Sequence, residues 1–166
     1  MIPSGNKRPF PIRPWAWLQV LLLTGLLAAG CEQEAVLDRN VPIAEPGWSY
    51  GFMPEFELEI DDTAARYSLQ LNLRHTGDYK YSNLFILVHT INPAQDTLSN
   101  RFEFTLAAPD GRWLGDGAGH IYSYRIPFSD STYFPVPGTY RILLEQNMRD
   151  PVLPAIEDVG LRIEKR

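Results

Sequence analysis

Residues 48–166 predict an all-β fold, a single antiparallel β-sandwich of Ig-like or jelly-roll-like type. Three observations point there: short segments that alternate apolar and polar residues, turn-forming residues at near-regular spacing between them, and little helical periodicity. Many short strands punctuated in this way favour an antiparallel sandwich over a parallel α/β sheet.

In chain order, Phe56–Ile60 (FELEI) alternates with period two, as a half-buried strand must, and Tyr67–Leu73 (YSLQLNL) repeats the pattern. Leu84–Val88 (LFILV) is a continuous β-prone run, which predicts a central strand covered on both faces. Phe102–Leu106 (FEFTL) alternates again, and Ile121–Phe128, Thr139–Glu145 and Val159–Glu164 complete a set of seven or eight strands. The separators are Asp61-Asp62, Thr76-Gly77-Asp78, Asn92-Pro93, Pro109-Asp110-Gly111, Gly115-Asp116-Gly117 and Pro137-Gly138. Tyr140, just after Pro137-Gly138, sits where a sandwich tyrosine closes a corner by bonding backbone through its hydroxyl. One helical turn is expected at Gln146–Asp150, stopped by Pro151.

Ahead of the domain, residues 1–14 carry Lys7, Arg8 and Arg13, and Trp15–Gly30 is apolar apart from Gln19 and Thr24. Charge followed by an apolar run is the order of a secretory signal. At 16 residues the run is shorter than the roughly 17–25 that a membrane-crossing helix needs, which disfavours the alternative of a permanent span. It ends in Leu26-Leu27-Ala28-Ala29-Gly30, directly before Cys31, the chain's one cysteine. This resembles the bacterial lipobox, with Ala28 where Leu is usual. The resemblance implies cleavage after residue 30 and a diacylglycerol on the Cys31 thiol. Several acyl chains hold a protein at a bilayer far more firmly than one does. The rival reading is an ordinary signal peptide followed by a free thiol without a disulfide partner. Residues 31–47, polar and holding Pro42 and Pro46, read as a lipidated N-terminus and flexible tether. The expected organisation is therefore 1–30 signal peptide, 31–47 tether and 48–166 sandwich.

Composition is that of a folded domain, 45% hydrophobic and 21% charged. Three of the 15 basic residues precede the cut and none of the 20 acidic ones does, which leaves the remainder at net −8. Nucleic-acid affinity comes largely from Lys and Arg neutralising phosphates, so no nucleic-acid partner is expected.

Chemistry-bearing patterns are sparse. His75, His89 and His120 stand far apart, outside any HxH, HExxH or CxxC spacing, so they read as surface or half-buried strand residues and no metal site is expected. No G-x-S-x-G or phosphate-binding glycine loop occurs, and Cys31 is committed to lipid, so no enzyme, small-molecule substrate or cofactor beyond that lipid is expected. Asp110-Gly111 and Asp116-Gly117 lack the calcium-loop spacing and read as turns. Trp48, Trp113, Tyr79, Tyr81, Tyr122, Tyr124 and Tyr133 could line a stacking surface for sugar or protein, or belong to the core.

Four stretches, Asn72–Phe85, Ala107–Gly117, Gly138–Tyr140 followed by Gln146–Arg149, and Ile156–Glu164, together resemble the GldH-type gliding-motility lipoproteins of Bacteroidetes. In order and spacing they cover most of the mature domain, with Asn147 departing from an expected small residue. The resemblance implies a membrane-anchored accessory of the gliding machinery, tied to type IX secretion, without catalysis. Its partners are then the membrane, through the lipid, and other envelope proteins. The expected place is the outer membrane, the periplasmic side in preference to the cell surface, although Glu32 and Glu34 could accompany surface display. Candidate contact residues are Asp78, Tyr79, Tyr81, Asn83, Asp110 and Trp113, which mix charge, aromatic faces and hydrogen-bonding groups near strand beginnings and turns. The alternative role for Asp78, Ser82 and Asn83 is to satisfy local turn backbone.

Overall fold

The computed structural model describes residues 35–166, so the signal segment and Cys31 lie outside the described residues. The strands are β1 (Ala35–Pro42), β2 (Trp48–Ser49), β3 (Glu55–Ile60), β4 (Tyr67–Thr76), β5 (Asn83–Ile91), β6 (Thr97–Thr105), β7 (Asp116–Ala118), β8 (Ile121–Thr132), β9 (Gly138–Gln146), β10 (Val152–Leu153) and β11 (Ile156–Lys165). One sheet has the order β1-β11-β4-β8-β7 and the other β3-β9-β5-β6, while β10 and β2 form a separate pair. Every pairing is antiparallel. The all-β expectation holds.

Alternation explains which side chains meet. Leu69, Leu71 and Leu73 of β4, with Val159, Leu161 and Ile163 of β11, form one buried layer. Phe56, Leu58 and Ile60 of β3, Leu84, Ile86 and Val88 of β5, and Ile142 and Leu144 of β9 form the facing layer. Burying such a side chain contributes about 1.5–3 kcal/mol, so these two rows dominate the stabilisation. Tyr140 accepts a hydrogen bond from the Val136 amide at 3.1 Å, the backbone contact expected of a corner tyrosine.

Four expectations need correction. The tether over 31–47 gives way, from Ala35 onward, to β1, paired with β11 from Ala35↔Glu164 to Pro42↔Asp158. As an edge strand it offers Ala35, Leu37 and Val41 as half-buried apolar side chains with Arg39 among them, so its alternation is weak. Gln146–Asp150 is not helical: Gln146 ends β9, and its amide side chain donates to the Asp150 carbonyl (3.0 Å) and accepts from the Met148 amide (3.0 Å). A side chain that caps the segment's backbone in this way replaces the bonds of a helical turn. Interior strand β5 is covered on one face only. Phe85 and Leu87 on the other face are half-buried, the Phe85 ring lying beneath the Arg101 guanidinium at 3.8 Å. Asp116-Gly117 belongs to β7 rather than to a turn, and the chain reverses at Gly119-His120.

Candidate functional site

The resemblance stretches 72–85 and 107–117 converge at one end of the sandwich. β4 ends in a turn where the Tyr79 amide donates to the Thr76 carbonyl (3.1 Å), and the Tyr79 hydroxyl donates to the Asn83 carbonyl (3.1 Å). Opposite, Ala107 and Trp113 form a bridge that closes a loop tied by Ala108 N–H to the Arg112 carbonyl (2.8 Å). Within that loop the Asp110 carboxylate accepts from the Arg112 amide at 3.1 Å, the turn role an aspartate commonly takes.

Between the two loops lies His75, fully buried. Its ring centroid is 4.5 Å from Trp113, 5.2 Å from Tyr124, 5.3 Å from Tyr79 and 5.8 Å from Tyr122. Nδ1 faces the Thr76 carbonyl at 2.7 Å, and since a carbonyl only accepts, Nδ1 carries the proton. Nε2 lies 3.1 Å from the Tyr124 hydroxyl, which itself donates to the Leu106 carbonyl at 2.8 Å. The Tyr124 ring also leans on Gly115, where a Cβ would stand 2.5 Å from it, so only glycine lets the loop lie this close. Burial pushes the His75 imidazole below its ordinary value and the Tyr79 and Tyr124 hydroxyls above theirs. A general base needs access to substrate as well as a suitable pKa. With Nδ1 held by backbone, four rings around it and no exposure, His75 is a structural centre.

Of the six candidate contact residues, Tyr79, Tyr81 and Trp113 come together (Tyr79–Tyr81 5.9 Å, Tyr79–Trp113 6.4 Å). Tyr79 is buried, Tyr81 and Trp113 are half-buried, and Asp78 and Asp110 are exposed at turn tips. Asn83 points elsewhere and donates to Glu103 at 2.7 Å. Lys80 pairs with Asp150 and lies over the Tyr81 ring at 4.9 Å. The stacking-surface reading loses three of its seven residues to the core: Trp48 is 0% exposed with its indole N–H on the Phe52 carbonyl, and Tyr79 and Tyr124 are buried; Tyr81, Trp113 and Tyr122 are half-buried, and Tyr133 stands open.

Two constellations were not foreseen from the sequence. On the outer face of the five-stranded sheet, Asn72 donates to Asp38 (2.8 Å) and Asn40 (3.0 Å), and Asn40 donates to Asp158 (2.9 Å). Arg162 bonds Asp38 (2.5 Å) and Glu164 (2.7 Å), and Arg74 pairs with the buried Asp158. Asn40 reaches Asn72 only because Gly160 lies beneath it, where a Cβ would stand 2.2 Å from the Asn40 side-chain oxygen. Beside this network a polar basin of about 530 Å³ opens between Asp38, Asp116, Ser123 and Arg125. Alternating polar residues at 38, 40, 158, 162 and 164 were visible in the sequence, but which strands bring them together was not.

The other constellation is Ser99–His89–Glu145 on the outer face of the four-stranded sheet. His89 Nδ1 is 2.7 Å from the Ser99 hydroxyl and Nε2 is 2.7 Å from the Glu145 carboxylate. The three sit on adjacent strands β6, β5 and β9, where cross-strand partners meet. Acyl transfer also requires donors aimed at a developing oxyanion, and an open sheet face commits its amides to the ladder. Among the described residues, no group of three or more His, Cys, Asp or Glu is arranged to hold a metal ion.

An antiparallel sandwich with an aromatic-packed loop end and polar networks on its outer faces defines a small all-β domain suited to presenting surface. The profile of the GldH lipoprotein family matches residues 35–163, and the chain belongs to that family. It is 32% identical over 153 residues to the "Gliding motility lipoprotein GldH homolog" of Christiangramia forsetii, covering 88% of this chain and 93% of that one. It is 29% identical over 154 residues to the "Gliding motility lipoprotein GldH" of Flavobacterium johnsoniae, covering 89% and 95%. Among solved structures, a carbohydrate-binding module specific for non-crystalline cellulose overlaps 77% of this chain and 71% of its own at 8% identity and a TM-score of 0.37.

Proposed function

We propose that this gliding-motility lipoprotein is held in the outer membrane, on its periplasmic side, by lipid on Cys31, and serves the gliding and type IX secretion machinery as a non-catalytic accessory. The observation that carries the reading is the family match across residues 35–163, with relatives named for gliding motility over nine-tenths of their length. The loop end adds a physical reason for contact rather than chemistry. Its buried His75 and Tyr79 stiffen a rim on which Asp78, Tyr81, Asp110 and Trp113 reach solvent. Rigid aromatic and charged groups of this kind suit a protein interface.

The test is complementation of a gliding bacterium that lacks its own family member. Wild type should restore spreading and secretion. Cys31→Ala should lose labelled palmitate and fail to restore them, and Asp78→Lys with Asp110→Lys should keep the lipid yet fail. A deletion strain that still glides and secretes overturns the role, and palmitate persisting on Cys31→Ala overturns the anchor.

A further inference from the structure

An open sheet edge presents unpaired N–H and C=O groups to any second strand, and folded proteins blunt such edges. Most edges here are blunted. Edge strand β1 carries a register irregularity and ends in Pro42, and Arg39 reaches across it to the Glu55 carbonyl of β3. β3 itself shows Glu55, Glu57 and Glu59 on one face, a row of like charge that repels a copy of itself. β7 is three residues long, and the uncovered part of β8 contains Pro127 and two register irregularities. β6 differs. Its nine residues pair with β5 from Asn83↔Thr105 to Ile91↔Thr97 without interruption, and among the described residues no strand pairs with its other side, an edge with no proline and no bulge.

The charges on β6 are arranged to complement themselves. Arg101 and Glu103 lie on the outer face with Phe102 between them on the inner face. If a second copy pairs antiparallel about a twofold axis at Phe102, each Arg101 stands opposite the partner copy's Glu103, and the two Phe102 rings approach across the axis. Centring the axis on residue 101 or 103 instead sets Arg against Arg or Glu against Glu. Opposite charges directly across a strand pair stabilise it and like charges oppose it, so this pattern selects one register. Phe102 is half-buried against Phe128 at 4.9 Å, leaving a flank for a partner to cover.

We propose that β6 is a self-association edge: two copies pair β6 to β6 in the register centred on Phe102, joining their four-stranded sheets into one. An edge-to-edge contact of this kind is isologous and closes at two.

The test is sedimentation velocity of the detergent-solubilised full chain, with circular dichroism confirming that each variant is folded. Wild type should dimerise, and Arg101→Glu and Glu103→Arg should each weaken the dimer at least about tenfold by turning two attractive pairs into repulsive ones. The double variant, and a one-to-one mixture of the two single variants, should recover it, because both restore opposite charges. A wild type that stays monomeric overturns the proposal. So do folded single variants that dimerise normally, a double variant or mixture that stays monomeric, and a photo-crosslinker at position 97 that captures only a different protein in cells.

Discussion

Replacing Gly160 with alanine tests the packing of β1 onto β11. The added methyl would stand 2.2 Å from Asn40 Oδ1, 2.5 Å from the Arg39 carbonyl oxygen and 2.9 Å from Asn40 Cα. Two of those three atoms are backbone, so rotating a side chain relieves only part of the clash and β1 must shift. Overpacking of this kind costs about 1–3 kcal/mol. Displacing Asn40 also breaks its bonds with Asn72 and Asp158, each worth about 1 kcal/mol. The expected loss is about 3–4 kcal/mol, or a fall in melting temperature on the order of 10 °C for a domain of this size. Thermal unfolding followed by circular dichroism gives the number, and amide exchange of residues 37–41 shows whether β1 has detached. A melting temperature within about 2 °C of wild type, with those amides unprotected in both proteins, would refute the reasoning. Residues 35–42 would then be a free tether and Gly160 would face open solvent.

Two further predictions concern pH. Arg162 holds Glu164 below its ordinary value. At Asp38 burial pulls upward, but hydrogen bonds from Arg162 and Asn72 outweigh it and the carboxyl also lies low. Folded values below unfolded ones give stability that is complete above about pH 5 and lost as pH falls through the folded values. Arg162→Leu should therefore lower the urea midpoint at pH 7 and flatten its decline between about pH 5 and 3; an unchanged slope refutes the pairing. His75 is likewise depressed, by burial, so its contribution is present above its ordinary 6.5 and lost as pH falls through the lower folded value. Its imidazole proton resonances should titrate with a midpoint below 6.5, and His75→Phe should remove this acid-sensitive component at a cost of about 0.5–1.5 kcal/mol for the lost hydrogen bond to the Thr76 carbonyl, which keeps the Tyr79 amide as donor.

Legibility from the sequence followed the strength of each local signal. β3, β4 and β9 largely alternate apolar with polar residues because only one face of each joins the apolar core, and their bounds were read to within a residue or two, apart from three further residues of β4. β1 was misread because its inward positions include Arg39 beside the half-buried Leu37 and Val41, a pattern that only the neighbouring strands make sense of. The two-residue strands β2 and β10 are too short for any period to show. At the loop end, Tyr79, Tyr81 and Trp113, which lie in the stretches carrying the family likeness, are brought together by the fold rather than by any local pattern. His75 was read as a surface or half-buried residue, whereas four aromatic rings surround it. The missed polar ladder joins side chains more than a hundred residues apart, such as Asn40 with Asp158, and no local pattern encodes such a distance.

The placement of β11 bears on when the domain can fold. It follows every other described strand in chain order, yet it lies inside its sheet, flanked by β1 and β4. A growing chain that stops before Ile156 has no template on which β1 can settle and leaves β4 open along one side. Contacts between such distant positions form slowly and only once both ends are present. Topology alone thus delays closure of the sandwich until the last strand has been made.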